Sequence, residues 1–325
     1  MAGLDGDFEA LTRPYRRELL AHCYRLLGSA HDAEDLLQET LLRAWRAADR
    51  YDAERASVRT WLYRIATNAC LTALETRRRR PLPAGLVGPS DDPDAALTID
   101  ATVPWLEPFP DPAVGDPAAE ALRRESLSLA FVAALQTLSA QQRAVLILRE
   151  VLEWPAADVA DCLDVSVAAV NSGLQRARAA MRSTEIAEES LGRPNDPQAR
   201  VVVDRYVDAF VRADLGALTA MLRADVVLEM PPVSNWYRGA EHYGRFMERV
   251  YAMRGTAWRA LPIAANGQAG LAAYARGADG AFHAHTLQVF TVQAGMIAHN
   301  LVFADLTLFP IFGLAPSLPA DGAVA

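Results

Sequence analysis

Apolar residues in the first eighty positions recur at three- and four-residue steps, the spacing that lays one hydrophobic stripe along a helix. The clearest case is 30–48. Ala33, Leu36, Leu37, Leu41, Ala44, Trp45 and Ala48 fall on one side, and Glu34, Asp35, Gln38, Glu39, Arg43 and Arg46 on the other. Ser29 stands where a side chain caps such a helix, with Asp32 three residues on. A second helix is predicted over 57–79, with Trp61, Leu62, Ile65, Ala69 and Leu74 inward and its arginines outward. The periodicity fails at 81–118, which is rich in Pro and Asp and predicts an extended, poorly ordered connection. Helical patterning resumes near 119 and runs to 190, where Gly192-Arg193-Pro194-Asn195-Asp196-Pro197 breaks it again.

The last segment changes period. Two helical stretches over 199–222 lead to a β-like run, Asp225–Met230, and to another helix near 239–253. Four apolar, partly alternating runs follow at 257–264, 269–275, 282–293 and 296–308. Helices followed by a meander of strands predict an α+β domain with a curved antiparallel sheet. The expected architecture is thus multidomain: two all-α domains (1–80 and 119–190), a linker (81–118) and an α+β domain (198–325).

Composition narrows the class. With 325 residues, 51% of them hydrophobic, the chain is long enough for several packed cores. No apolar run approaches the roughly 18 residues of a membrane span, and MAGLDGDFEA lacks the pattern of a secretion signal. Cys23, Cys70 and Cys162 are odd in number and sit in helical patterns without metal-ligand spacing. They read as buried thiols, and the expected compartment is the cytoplasm, with no cofactor and no metal. The net charge of −8 is unevenly spread. Residues 1–80 carry 14 Arg against 12 acids and end in Arg77-Arg78-Arg79-Arg80, whereas 81–118 carry 7 acids and no Arg. Such segregation fits a nucleic-acid-binding protein with an acidic linker. All 32 basic residues are arginine, a bias that a GC-rich genome explains as well.

Val151–Met181 carries the most legible chemistry. Ala156–Cys162 reads as a short helix, Leu163-Asp164-Val165 as a turn, and Ser166 as the cap of a second helix. That helix is expected to bury Val167, Val170, Leu174 and Ala177 and to show Ala168, Asn171, Ser172, Gln175, Arg176 and Arg178. The pattern describes a helix-turn-helix whose amides suit adenine and whose arginines suit guanine or phosphate. A plain helical hairpin with a solvated face would share it.

The run Asp32-Ala33-Glu34-Asp35-Leu36-Leu37-Gln38-Glu39-Thr40-Leu41-Leu42-Arg43-Ala44-Trp45 resembles region two of the sigma-70 family, in its extracytoplasmic-function group. Trp61-Leu62-Tyr63-Arg64-Ile65-Ala66-Thr67-Asn68 resembles the promoter-melting part of that region, and Leu138-Ser139-Ala140-Gln141-Gln142-Arg143-Ala144-Val145-Leu146 resembles region four. The resemblance implies a transcription initiation factor that binds the RNA polymerase core and promoter DNA. Asp32, Glu34, Asp35, Gln38, Glu39 and Arg43 would meet the clamp of the largest polymerase subunit, and region four the flap of the second largest. Asn68 would hold a flipped −10 base, and Arg77 and Arg78 backbone phosphates. Ser166, Asn171, Ser172, Gln175, Arg176 and Arg178 would read the −35 element, with Asn171, Gly173 and Gln175 at outer positions where the family is more basic. The acidic linker resembles the family's connector, which threads the polymerase channel; a plain spacer would have the same composition.

Val201–Leu222, Asp225–Pro232 and Trp236-Tyr237-Arg238-Gly239 resemble a SnoaL-like domain of the nuclear-transport-factor fold, a cone of helices on a curved sheet. Tyr206, Trp236, Tyr243, His283, His285 and Asp305 are candidate pocket residues for a small-molecule ligand. His283 and His285 alternate along a predicted strand and so share a face. A regulatory domain is expected there and not an enzyme. The alternative is a SnoaL-type enzyme or ligand sensor fused to a DNA-binding module.

Overall fold

The computed structural model describes residues 8–76, 79–112, 128–183 and 196–320. The chain divides into two compact units, Met1–Arg80 with Ala130–Ile186, and Pro81–Leu129 with Ala187–Ala325.

The first unit is helical. Helix α1 (Arg16–Leu27) stops at Gly28, whose φ of 71° lets its amide close on the Tyr24 carbonyl at 2.7 Å. Helix α2 (Ala30–Arg46) starts at Ser29, whose hydroxyl accepts from the Asp32 amide at 3.1 Å, and buries Ala33, Leu36, Leu37, Leu41 and Ala44. Trp45, expected inside, is 46% exposed. At 3.6 residues per turn it falls at the margin of the stripe, beside Gln38 and Leu42 on the outer face. Helix α3 (Val58–Thr76) ends earlier than the expected 79, and of its predicted inward residues Leu62 and Ala69 are buried while Trp61, Ile65 and Leu74 are half-buried.

Four further α-helices follow among the described residues of the unit: α4 (Leu129–Leu135), α5 (Ala140–Leu146), α6 (Ala156–Leu163) and α7 (Val167–Ser183). Ser139 and Gln142 form a reciprocal capping box that starts α5. Asp164 (φ 54°) turns the chain between α6 and α7, and the Ser166 hydroxyl accepts from the Ala169 amide at 3.1 Å. Helix α3 packs on α5 and α6. His22, fully buried, meets the Thr67 hydroxyl at 2.8 Å, and the Tyr63 and Trp154 rings lie 5.5 Å apart.

The second unit holds a seven-stranded sheet with β1 (Leu222–Met230), β2 (Val233–Arg238), β3 (Trp258–Ala265), β4 (Gln268–Arg276), β5 (Phe282–Gln293), β6 (Met296–Phe303) and β7 (Ser317–Leu318). Six strands run in the order β2-β1-β6-β5-β4-β3, and β7 pairs with β5. All pairs are antiparallel except β1 with β6, so the sheet is mixed. Helices α8 (Pro197–Val211), α9 (Leu215–Thr219) and α10 (Ala240–Arg254) supply Tyr206, Phe210, Leu218, Tyr243 and Tyr251 to a core they share with Leu228, Tyr237, Leu271 and Phe290 of the sheet. A short helix, α11 (Leu308–Ile311), follows β6.

The stretch expected to be a poorly ordered connection belongs, over 81–112, to this second unit and is hydrogen-bonded along it. Along edge strand β2, Ile99 forms a bridge with Val233, the Ser234 amide donates to Thr98, and the Ser90 and Asp100 amides donate to Trp236 and Pro232. At the other edge, Pro110 bridges Ala265 of β3. Unpaired strand edges expose rows of polar backbone groups. One chain segment satisfies part of both edges here, which composition alone does not reveal. The expected resumption of helix near 119 lies outside the described residues.

Candidate nucleic-acid interface

Exposed residues of α2 form one stripe: Asp35, Gln38, Leu42 and Trp45, with Leu42 41% exposed. Glu34 is exposed beside it, and Glu39 pairs with Arg43 at 2.7 Å. Asp32 is set apart by a 2.5 Å ion pair with Arg80. The apolar pair Leu42 and Trp45 was missed as a contact surface because Trp45 was read into the buried stripe and Leu42 was placed on neither face.

Asn68 is exposed on α3. Arg77 and Arg78 lie outside the described residues. Arg79 donates through Nε to the Gln136 carbonyl at 2.8 Å, so the described half of the arginine run is engaged within the protein.

On α7, Val170, Leu174 and Ala177 are buried as expected, whereas Val167 is 44% exposed. Asn171, Gln175 and Arg176 are exposed, and Ser172 is half-buried and donates to the Ala169 carbonyl. Arg178 is exposed and paired with Glu150 at 2.5 Å. Gly173 does not occupy an outer position. It is buried against α5, where a Cβ would sit 3.7 Å from Val145, an ordinary van der Waals contact.

The six pocket candidates of the second unit do not form one cluster. Tyr206 and Tyr243 meet, hydroxyl to hydroxyl, at 2.6 Å. Asn300 donates to Tyr243 at 2.6 Å and to Gln288 at 3.0 Å. Burial pushes both phenols up, Tyr243 to about 12, so they stay protonated at neutral pH. Across the three strands β2, β1 and β6, Tyr237, Leu228 and Asn300 are in register, and the Tyr237 hydroxyl and Asn300 Oδ1 are buried without hydrogen-bond partners among the described residues.

The histidines part company because β5 bulges. Thr286 pairs with Ala273 and Ala284 with Tyr274, which leaves His285 as the extra residue. His283 is exposed and pairs with Asp279 at 3.0 Å. His285 stacks edge-on against Trp258, and burial, with Arg254 nearby, lowers its pKa to about 4. Asp305 accepts from the amide and hydroxyl of Thr307 in a surface turn.

Trp236 is engaged by the linker instead. Its indole donates to the Val87 carbonyl at 2.8 Å. Glu229, facing it across the β1–β2 pair, is 2% exposed and accepts from the Ala84 amide at 2.7 Å. His299 Nε2 stands 2.9 Å from the other Glu229 oxygen, at ion-pair distance but off the line of a hydrogen bond. A second clasp lies in the β3–β4 turn. The Asn266 side chain accepts from Phe109, its amide donates back to Phe109, and the Gly267 amide meets both oxygens of Asp111 at 3.0 and 2.8 Å. Asn266 (φ 56°) and Gly267 (φ 70°) both occupy the left-handed region that such a two-residue turn requires.

The arrangement is that of a helical module carrying a helix-turn-helix, followed by an α+β unit with a mixed sheet. Comparison with known sequences agrees: Sigma-70 region 2 matches residues 11–80, Sigma-70 region 4 matches 128–181, and the SnoaL-like domain matches 203–300. The ECF RNA polymerase sigma factor SigG of Mycobacterium tuberculosis is 50% identical over 319 residues, covering 96% of this chain and 85% of that protein. SigJ of the same organism is 30% identical over 74% of this chain and 71% of its own. The crystal structure of SigJ superposes with a TM-score of 0.64 at 25% identity, covering 95% of this chain and 99% of that one. The chain belongs to the extracytoplasmic-function group of sigma-70 factors, with a SnoaL-like domain at its C-terminal end. Sigma factors bind the polymerase core and promoter DNA and are not enzymes. Among the described residues no helix is long and apolar enough to cross a membrane.

Proposed function

We propose that this sigma factor docks on the clamp of the largest polymerase subunit through the α2 stripe Asp35, Gln38, Leu42 and Trp45, with Glu34 and Glu39 beside it. Region four meets the flap of the second largest subunit, Asn68 contacts the −10 element, and Asn171, Gln175 and Arg176 read the −35 element. Exposed apolar side chains ringed by charge support the first assignment, because a solvated helix face has no need of Leu42 and Trp45.

The SnoaL-like unit modulates initiation by holding the linker. The observation that carries this reading is that 81–112 is hydrogen-bonded to both edges of the sheet and, through Ala84, to the buried Glu229. A linker so held is not free to thread a polymerase channel, so release and promoter-directed activity are coupled. A small molecule in the cone would alter output only by binding the linker-held and linker-free states unequally.

Run-off transcription with core polymerase tests this. Full-length protein with Asn266→Gly and Asp111→Ala, which open one clasp, should give more transcript than the parent at equal concentration. Equal output would remove the linker from the regulatory scheme.

A further inference from the structure

The helical unit contains a cavity of about 290 Å³ between the end of region two and the start of region four. Leu74 and Arg79 line it from one side, and Gln136, Ser139 and Arg143 from the other. Among the described residues its lining carries two guanidinium groups and no carboxylate.

Both arginines converge on one neutral acceptor. Arg79 Nε donates to the Gln136 carbonyl at 2.8 Å, and Arg143 Nη2 reaches the same oxygen at 3.4 Å. Arg143 is only 4% exposed. Its remaining partners among the described residues are the Gln136 side-chain oxygen at 2.7 Å, the Leu138 carbonyl at 3.3 Å and the Leu26 carbonyl, all uncharged, and its Nε has none there. Burial, and then the neighbouring Arg79, lower the pKa of Arg143 to about 10, so it remains charged at neutral pH. Buried charges are costly unless an opposite charge accompanies them. Here two like charges share a carbonyl dipole beside open space.

We propose that this cavity binds a small phosphate-type oxyanion, phosphate or pyrophosphate, between Arg79 and Arg143. The Nη groups of Arg79 supply a guanidinium fork that matches tetrahedral oxyanions, and Arg143, whose own Nη groups are held by carbonyl oxygens, adds its buried positive charge. The volume lies at the lower end of ligand pockets, which begin near roughly 300 Å³, and suits a compact anion. Because the walls come from region two and region four, a bound anion bridges the two and stabilises their packed arrangement, increasingly and logarithmically as its concentration rises above the Kd. Neither the SnoaL-like unit nor the linker enters this inference.

The test is titration of the full-length protein with sodium pyrophosphate, by calorimetry and by thermal unfolding, with ionic strength held constant by NaCl. The expected result is saturable binding at one site and an unfolding midpoint that rises with ligand. Arg79→Gln, at an exposed position, should weaken binding at least tenfold without altering the circular dichroism of the unliganded protein. Binding unchanged in Arg79→Gln, or a midpoint shift reproduced by NaCl alone, would overturn the proposal. Arg79-dependent binding of a non-promoter DNA duplex without any of pyrophosphate would overturn it as well, by assigning the cavity to the DNA backbone.

Discussion

Opening the clasp at the β3–β4 turn has an effect that follows from its bonds. Asn266→Gly deletes the side-chain oxygen that accepts from Phe109 at 2.8 Å while keeping a residue tolerant of φ 56°. Asp111→Ala deletes the carboxylate that holds the Gly267 amide. A neutral hydrogen bond contributes about 0.5–1.5 kcal/mol and one to a charged group about 1.5–3 kcal/mol, so the pair removes roughly 2–4 kcal/mol. Asp111 is half-buried, and solvent favours the lower end. Local opening of 106–112 then becomes about 30- to 900-fold more frequent. Hydrogen exchange read by mass spectrometry gives the number directly, from the Leu106, Phe109 and Asp111 amides, which donate to Pro81, Asn266 and Ala264. The Ser90 and Asp100 amides at the β2 edge report whether the two edges open together. Unchanged protection at 106–112 in the doubly substituted protein would refute the reasoning, because the two side chains would then contribute nothing to holding the segment.

Three further outcomes are expected. Trp45→Ala removes close to half of a side chain of roughly 250 Å² from the docking stripe, about 2–3 kcal/mol at 25 cal/mol/Å²; co-elution with core polymerase should weaken at least tenfold, and wild-type retention would place the contact elsewhere. Asn171→Ala should lose about 1–3 kcal/mol of discrimination at one −35 position and leave other promoters alone; an equal loss on every sequence would make Asn171 a positioning residue. His22, with its pKa lowered to about 3 by burial and then by Arg25 and Arg59, is neutral when folded and takes up a proton only on unfolding below about pH 6.5. Its contribution is therefore complete above pH 6.5 and is lost as pH falls toward 3. Between pH 7 and 5 unfolding should become easier by about 2 kcal/mol. His22→Asn should flatten that slope in urea titrations, and an unaltered slope would remove His22 as its source.

Local pattern carried the helical unit far. The α2 stripe, the Ser29 and Ser166 caps and the turn at Asp164 all follow from residues within one or two turns of each other. Trp45 and Val167 were misread because a residue at the margin of a stripe is decided by what packs beside it, which periodicity does not encode. The strand β2 was passed over because Val233–Arg238 follows two prolines and leads straight into α10. Its edge position depends on pairing with β1.

The chain by itself determined the order of modules, the helix-turn-helix and the family, because these rest on spacing and on motifs contiguous in sequence. Tertiary structure decided the partners. Glu229 and Ala84 are 145 residues apart, and Asn266 and Phe109 are 157. An acidic, proline-rich segment has too little apolar surface to fold alone, so its composition reads as disorder. Once a sheet offers two open edges and a buried carboxylate, the same backbone amides find fixed acceptors, and the segment becomes part of the domain it was expected only to precede.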